Sequence, residues 1–290
     1  MNKLLPGLVA CFGVVISVYG QTDPMSLDAA STATKRGGAE ANYSVVERGP
    51  HHRVWARVSW EPNPLGGFTA RTNTYTELCG GLHYQDQGGQ WVEAREQIEA
   101  FPGGAVARQG QTQVIFANNL ATAGAIDMQA PDGQRFRSHI LGLSYYSPRT
   151  GQNVLIAEVK DCQGQIVEPN QVVYPDAFTD IAASVRYTYT RAGFEQDVII
   201  ESQLPEPEEF GLDSEDCVLQ VLTEFITPNE PVATPREVRF ESGVQAQDQD
   251  LDFGAVQMGR GRAFSLEPAS GRQDIPVFKQ WGTIEGRRIL

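Results

Sequence analysis

One stretch of this chain combines residue types that could perform acid–base chemistry. The segment Gly80–Phe101, GGLHYQDQGGQWVEAREQIEAF, holds four glycines, one histidine, one tryptophan and four acidic residues. The glycines match neither the GxGxxG nor the Walker spacing that holds phosphate. The segment therefore predicts a strand, a loop through Gln85–Gln90 and a return strand from Trp91. His83 is a conceivable general base, and with Tyr84 and Trp91 near the same turn it forms the first cluster to inspect.

Carboxylates elsewhere suggest two further kinds of chemistry. A glycosidase needs two carboxylates about 5–9.5 Å apart, and no motif in this sequence marks out a pair. The available carboxylates include Glu77, Asp86, Glu93, Glu96 and Asp176. Acidic clusters could also supply oxygen ligands to calcium, but Pro205–Asp216 and Asp248–Asp252 lack the spacing of an EF-hand loop. We expect no cofactor, with weakly bound calcium as the alternative.

The N-terminus has the layout of a secretory signal peptide. Met1–Lys3 is a short positive region, an apolar run follows, and Val18 and Gly20 place small residues ahead of a cut before Gln21. The run is shorter than the roughly 20 apolar residues that cross a bilayer. Leu8–Cys11, LVAC, resembles a lipobox, so a lipoprotein signal is a weaker alternative to the secretory signal peptide. We expect an exported chain, secreted or held at the cell surface, with no membrane span once residues 1–20 are removed.

Histidines, cysteines and serines show no catalytic or metal-binding signature. The four histidines, at positions 51, 52, 83 and 139, fit no metal spacing such as HExxH. Beyond the signal peptide the cysteines are Cys79, Cys162 and Cys217, an odd number that permits at most one disulfide. None belongs to a CxxC motif, which disfavours zinc and thioredoxin-like chemistry. No GxSxG marks a serine nucleophile.

Composition narrows the class of protein and of partner. The chain has 290 residues, of which 41% are hydrophobic and 20% charged, so a substantial folded core is expected rather than disorder. Its formal net charge is −13. Binding to nucleic acid needs clustered lysine and arginine, so nucleic acid is not expected as a partner.

Short alternating runs bounded by turn residues predict an all-β fold. In His52–Trp60, Val54, Ala56, Val58 and Trp60 alternate with the more polar residues of the other face. Pro131–Gly133 and Arg191–Gly193 predict tight turns between strands, and a further strand pair is predicted around Asp161–Gly164. Residues 91–101 favour a strand over the helix that their spacing also fits. We predict a large antiparallel β-sandwich with little helix, built as one sandwich or two packed β subdomains.

Proline-rich and polar stretches predict the domain boundaries. After the signal peptide, residues 21–42 are predicted to be a flexible linker and residues 43–226 the main β-sandwich. Residues 227–238 carry three prolines and are predicted to link it to a smaller β-rich segment, residues 239–290. Because the strand pattern runs to the last residue, we hypothesise that the chain is a shortened piece of a longer protein.

Aromatic residues on the predicted strands have two interpretations. They are Trp55, Trp60, Trp91, Tyr84, Tyr145, Tyr146, Tyr187 and Tyr189. Tyr187 and Tyr189 share a strand face, as aromatic platforms of sugar-binding sandwiches do. Aromatic side chains also stabilise sheets by packing across strands and in the core, and we favour that interpretation.

Several segments resemble a known kind of secreted bacterial module. They include RTNTYTELCGGLHYQDQGGQWVEAREQIE, LGLSYYSPRTGQNVLIAEVKDCQGQIV and PVFKQWGTIEGRRIL. The chain from Val45 to Leu290 resembles an uncharacterised β-rich module that follows the signal peptide of long secreted proteins in Verrucomicrobia and related bacteria. Some of those proteins resemble RHS/YD-repeat surface proteins. The resemblance implies a β-rich, exported N-terminal module and carries no catalytic residues over.

Together these features predict a non-catalytic module rather than an enzyme. We expect an exported β-rich module for adhesion, assembly or glycan contact at the cell surface, with glycans or other surface proteins as partners. The alternative is a carbohydrate-active enzyme whose paired carboxylates meet beside aromatics in a sandwich cleft. No catalytic, cofactor-binding or metal-binding residue is assigned.

Overall fold

A computed structural model describes residues 8–9, 16–18, 42–227, 230–239, 245–265 and 275–290. These residues are nearly all strand, with two short 3-10 helices at Pro207–Phe210 and Ser214–Asp216. The strands are β1 Leu8–Val9, β2 Ile16–Val18, β3 Ser44–Arg48, β4 His52–Pro62, β5 Phe68–Leu78, β6 His83–Gln85, β7 Trp91–Glu93, β8 Glu99–Phe101, β9 Gly104–Ala107, β10 Gln113–Ala117, β11 Ile126–Gln129, β12 Arg135–Tyr146, β13 Asn153–Glu158, β14 Gln165–Glu168, β15 Gln171–Tyr174, β16 Ala183–Thr190, β17 Gly193–Ile200, β18 Val218–Thr227, β19 Val232–Arg239, β20 Gln245–Asp252, β21 Val256–Met258, β22 Gly261–Ser265, β23 Ile275–Val277, β24 Gly282–Ile284 and β25 Arg287–Ile289. The predicted all-β class is confirmed.

The chain forms two compact units. One unit comprises Tyr19–Ala94, and the other comprises Arg95–Leu290 together with Met1–Val18. The larger unit contains a nine-stranded sheet in the order β24-β25-β18-β12-β11-β10-β9-β8, with β13 also on β12, and an eight-stranded sheet in the order β14-β15-β16-β17-β2-β21-β20-β19. The smaller unit contains the sheets β3-β4-β5 and β6-β7. All pairings between the described strands are antiparallel.

The core of the larger unit lies between its two large sheets. Phe116 of β10 and Tyr187 of β16 are fully buried, with ring centroids 5.7 Å apart. The Tyr187 hydroxyl donates to the Gln196 side-chain oxygen at 3.2 Å, and the Gln196 amide donates to Thr223 Oγ1 of the opposite sheet at 3.4 Å. Alternating apolar residues on both sheets thus meet around a small polar network, as expected for a sandwich.

Tyr187→Phe should lower the free energy of unfolding by about 1–3 kcal/mol, because it leaves the buried Gln196 oxygen without its donor. Denaturant unfolding followed by far-ultraviolet circular dichroism measures this loss. Tyr146→Phe is the matched control, since Tyr146 lies half-buried at the end of β12 and its loss should stay within about 0.5 kcal/mol. Equal losses for the two variants would contradict this account of the core.

Several predicted turns are confirmed by the strand pairings. β6 and β7 pair across the predicted loop, β11 and β12 pair across the Pro131–Gly133 turn, and β16 and β17 pair across the Arg191–Gly193 bend. Residues 91–101 contain β7 and β8 rather than a helix.

The strand pair predicted around Asp161–Gly164 is wrong. β13 pairs with β12 of the nine-stranded sheet, whereas β14 pairs with β15 of the eight-stranded sheet. The segment between them passes from one sheet to the other, with single bridges at Val159 to Phe178 and Gln163 to Asn119. A polar segment containing glycine permits this crossing as readily as it permits a hairpin turn, and the sequence does not distinguish the two.

The described residues cover only some of the predicted domain boundaries. Residues 21–41 of the predicted 21–42 linker, and the predicted signal peptide apart from β1 and β2, lie outside the described residues. Within the predicted linker at 227–238, residues from Val232 onward form β19, which pairs with β20. A division between the two compact units falls after Ala94.

Candidate binding surface

The side chains of the predicted cluster around His83 lie on opposite faces of the β6–β7 hairpin. His83 pairs with Glu93, Gln85 with Trp91, and Tyr84 with Val92, so Tyr84 lies on the opposite face from His83 and Trp91. His83 is fully buried, with its Nδ1 2.9 Å from the Gly49 carbonyl oxygen. The three side chains therefore do not converge on a common site.

The loop between β6 and β7 is closed by its own hydrogen bonds. The Asp86 side chain accepts from the backbone N–H groups of Gly88 and Gln90, each at 2.9 Å. Gly89 has a φ of +74°, a conformation that favours glycine. The glycines and the aspartate of this segment thus shape a turn.

The other predicted carboxylates are each engaged in local contacts. Glu77 and Glu93 both contact Arg53 of β4, Glu96 accepts from the Arg191 N–H, and Asp176 lies 2.7 Å from the Lys160 ammonium. Glu77 and Glu93 thus converge on Arg53, and the Arg53 hydrogen bond lowers the pKa of Glu77, whereas the general acid of a glycosidase needs a raised pKa.

The acidic segments are also structured by internal contacts. In Pro205–Asp216, the Ser214 hydroxyl donates to Glu208, and Asp213 caps the second 3-10 helix. Asp248 and Asp250 of β20 both contact Arg236 of β19. Among the described residues, no group of three or more His, Cys, Asp or Glu side chains is arranged to hold a metal ion. Weak calcium binding stays a prediction.

The three cysteines among the described residues carry free thiols. Cys79 is exposed, Cys162 is buried and Cys217 is partly buried. The Cys162 thiol donates to the Pro175 carbonyl oxygen at 2.7 Å. Burial raises the pKa of the Cys162 and Cys217 thiols, which makes both of them poorer nucleophiles.

Tyr187 and Tyr189 belong to the core and form no sugar platform. Both are almost completely buried, and the Tyr189 hydroxyl donates to the Thr112 carbonyl oxygen at 2.7 Å. Burial raises the pKa of Tyr187 far above its ordinary value. Of the two interpretations of these tyrosines, the structure supports packing.

A shallow cleft of about 250 Å³ opens between β8–β10 and β14–β15. Its lining consists of Ala100, Gly104, Ala105, Phe116, Ala117, Asn118, Gly164, Ile166, Val172 and Tyr174. These residues include no carboxylate, histidine or cysteine, so the cleft provides no acid–base group. It gives no support to the carbohydrate-active enzyme.

A partly buried histidine–carboxylate pair was not predicted from sequence. His139 of β12 lies directly opposite Glu224 of β18, with Nε2 3.3 Å from Oε2, and His139 Nδ1 accepts from the Gly124 N–H at 3.3 Å. Arg287 also pairs with Glu224. Both ring nitrogens therefore have partners. Burial lowers the pKa of His139, and the Arg287 hydrogen bond lowers that of Glu224.

The His139 shift predicts a pH dependence of stability. Since the folded-state pKa lies below the unfolded value of about 6.5, the unfolded state binds more protons as pH falls, and stability decreases from pH 7 towards pH 5. His139→Gln should flatten this slope, which is at most about 1.4 kcal/mol per pH unit for one proton. Urea unfolding at several pH values measures the slope. An unchanged slope would contradict the lowered pKa of His139. The lowered pKa of Glu224 places its titration below pH 5, outside the range of this slope.

The long hairpin of β4 and β5 has two unlike faces. Eleven residues of each strand pair in register, from His52 with Leu78 to Pro62 with Phe68. One face is charged and aromatic: Glu77 accepts from Arg53 Nε at 2.6 Å and from Trp55 Nε1 at 2.8 Å. The Arg53 guanidinium lies 4.9 Å from the Trp55 ring centroid. These contacts hold the side chains of that face against one another.

On the other face, which we name the apolar face, β4 and β5 carry no Asp, Glu, Lys or Arg, and Glu47 of the neighbouring strand β3 lies at its edge beside Val54, 3.2 Å from the His52 ring. The apolar face consists of His52, Val54, Ala56, Val58, Trp60 and Pro62 of β4 and Phe68, Ala70, Thr72, Thr74, Thr76 and Leu78 of β5. Its large side chains are exposed, with Trp60 at 66%, Phe68 at 68% and Leu78 at 72% of their full exposure. Contiguous exposed apolar surfaces are found at interaction sites, so this face is the candidate binding surface.

The smaller unit has few buried apolar residues of its own. Among residues 42–94, the buried apolar side chains are Leu82 and Ala94. Three-stranded sheets normally need a covered hydrophobic face for stability. The apolar face is therefore the part of the described chain best suited to bind a partner.

Among the described residues, no helix has the length and apolar character needed to cross a membrane. No family model, curated protein or solved structure matches this chain.

Proposed function

We propose that this chain is an exported, non-catalytic β-rich module for assembly at the cell surface, in which two copies stack their apolar faces. The observation that carries the proposal is the exposed, uncharged face of the β4–β5 hairpin. Export rests on the predicted signal peptide. Sheets pack face to face about 10 Å apart when both offer apolar side chains, and the apolar face supplies such a surface.

The composition of the apolar face favours a protein surface over a glycan. Binding sites for polar ligands fix them with placed polar groups beside apolar ones. On the apolar face the polar groups are the hydroxyls of Thr72, Thr74 and Thr76 and the ring of His52. Trp60 and Phe68 instead offer large apolar side chains of the type enriched at the centre of protein interfaces.

Charge restricts a second copy to the apolar face. The chain carries a net charge of −13, so two copies repel each other over most of their surfaces. The β4 and β5 residues of the apolar face carry no carboxylate, so a two-fold axis through these strands brings uncharged patches together and leaves Glu47 of β3 at the edge.

The size of the apolar face predicts weak association. The hairpin strip is ~34 Å long and ~10 Å wide, or roughly 340 Å² per copy, against about 800 Å² per partner in a standard interface. We therefore expect a dissociation constant in the micromolar range or weaker. Chains held together on a cell surface reach high local concentrations, at which weak contacts become occupied.

Sedimentation velocity of the exported chain from about 1 to 300 µM tests the proposal. We expect a monomer–dimer equilibrium that strengthens when salt is raised, because salt screens the repulsion between acidic chains while leaving apolar contacts intact. A monomer at every concentration and salt would overturn it. Glycan binding that Trp60→Glu abolishes, in a chain that stays monomeric, would assign the apolar face to sugars instead.

A further inference from the structure

The eight-stranded sheet contains a strand from a distant part of the chain. β2 lies between β17 and β21, antiparallel to both. Ile16 is in register with Phe194 on one side and with Met258 on the other. β2 therefore joins two groups of strands, β14–β17 and β19–β21, into one sheet.

The strands that flank β2 belong to the core. Phe194, Val256 and Met258 are buried and are part of the apolar cluster between the two large sheets. Strands in a sheet are spaced about 4.8 Å apart, so β17 and β21 are separated by about twice that distance, the width of one strand. We name this position the strand slot.

The residues that fill the strand slot fall within the predicted signal peptide. If cleavage occurs before Gln21, β2 leaves with the leader, and the edges of β17 and β21 lose their common partner. Unpaired backbone groups beside a buried core are costly, and an open strand position is a template for pairing with another chain.

We propose that the strand slot between β17 and β21 is an acceptor site that takes an extended, uncharged apolar strand from a partner protein after the leader is removed. The described segment in this position, Ile16–Val18, belongs to the sequence FGVVISVYG (residues 12–20), which carries no charge and is rich in β-branched residues. Main-chain hydrogen bonds to both edges would provide affinity, as in other strand-addition complexes. This inference rests on the predicted cleavage and is independent of the apolar face.

The test uses the chain beginning at Gln21 and the synthetic peptide Phe12–Gly20. Hydrogen exchange is followed at Phe194 of β17 and Gln257 of β21, whose backbone N–H groups face the strand slot, with and without peptide. At peptide concentrations 100 times the dissociation constant, we expect exchange at these amides to slow by about 100-fold. A peptide with proline in place of Ile16 and Val18 stays uncharged but loses backbone donors, and should give no protection.

Every outcome of this experiment decides the proposal. Peptide-dependent protection at β17 and β21 supports it, and so does a chain that refolds into soluble form only when peptide is present. Protection elsewhere, an equal effect of the proline peptide, or amides already protected without peptide would overturn it. A chain that fails to refold equally with and without peptide would also overturn it. Self-association through the apolar face is measured separately, so failure of one proposal leaves the other intact.

Discussion

Asp248→Ala is expected to lower the free energy of unfolding by about 3–5 kcal/mol, the cost of removing one partner from a buried ion pair. Asp248 and Lys279 are 1% and 5% exposed. Asp248 Oδ1 accepts from the Lys279 backbone N–H at 2.8 Å and from its Nζ at 3.1 Å, while Oδ2 pairs with Arg236. The alanine variant leaves the buried Lys279 ammonium without a counter-ion, whereas Arg236 keeps Asp250.

A double variant separates the lost charge from lost packing. Asp248→Leu with Lys279→Met removes both charges and should recover most of the stability, because an apolar pair of similar volume often replaces a buried ion pair without loss. Guanidinium unfolding of the single and double variants gives both values. A loss below about 1 kcal/mol for Asp248→Ala would show that water or another group compensates Lys279, which contradicts the burial of the pair.

Trp60→Glu should weaken self-association at least 100-fold. Each dimer would bury two added carboxylates, one from each copy, and an unpaired charge inside an interface is among the most costly changes to binding. Phe68→Glu should act in the same way, since Phe68 lies on the same face of the hairpin. Sedimentation equilibrium at 100–300 µM measures the loss.

Ser59→Glu is the matched control for Trp60→Glu. It adds the same charge one residue away on the opposite face, directly across from Arg71. This variant should associate like the unaltered chain. Equal weakening by both variants would mean that added charge alone disrupts association, and the apolar face would then have no special role.

Much of the fold could be predicted because its local signals agree with its tertiary contacts. The turn at Pro131–Gly133 combines a fixed proline φ with a glycine at φ +86° and yields the predicted hairpin. The alternation in His52–Trp60 predicted a strand with one apolar face, and β4 is that strand. Both features depend on neighbouring residues alone.

The features that sequence reasoning missed depend on contacts between distant residues. Alternation usually indicates a buried apolar face, yet the apolar face of β4 and β5 is exposed, because burial depends on what packs against a sheet. His139 and Glu224 lie 85 positions apart in the sequence, at 139 and 224. They meet only because β12 pairs with β18. The Asp248–Lys279 pair likewise joins β20 to the segment between β23 and β24, which no local motif connects.

Cross-linking at the centre of the apolar face tests the central claim most directly. Thr74→Cys lies in the middle of that face, and Asn73→Cys lies beside it on the opposite face. Both are made with Cys79→Ser to remove the exposed native thiol. A bismaleimide that reaches about 10 Å, the spacing of stacked sheets, is added at 100 µM protein. We predict covalent dimers from Thr74→Cys and monomers from Asn73→Cys. The reverse pattern, or equal yields, would contradict stacking through the apolar face.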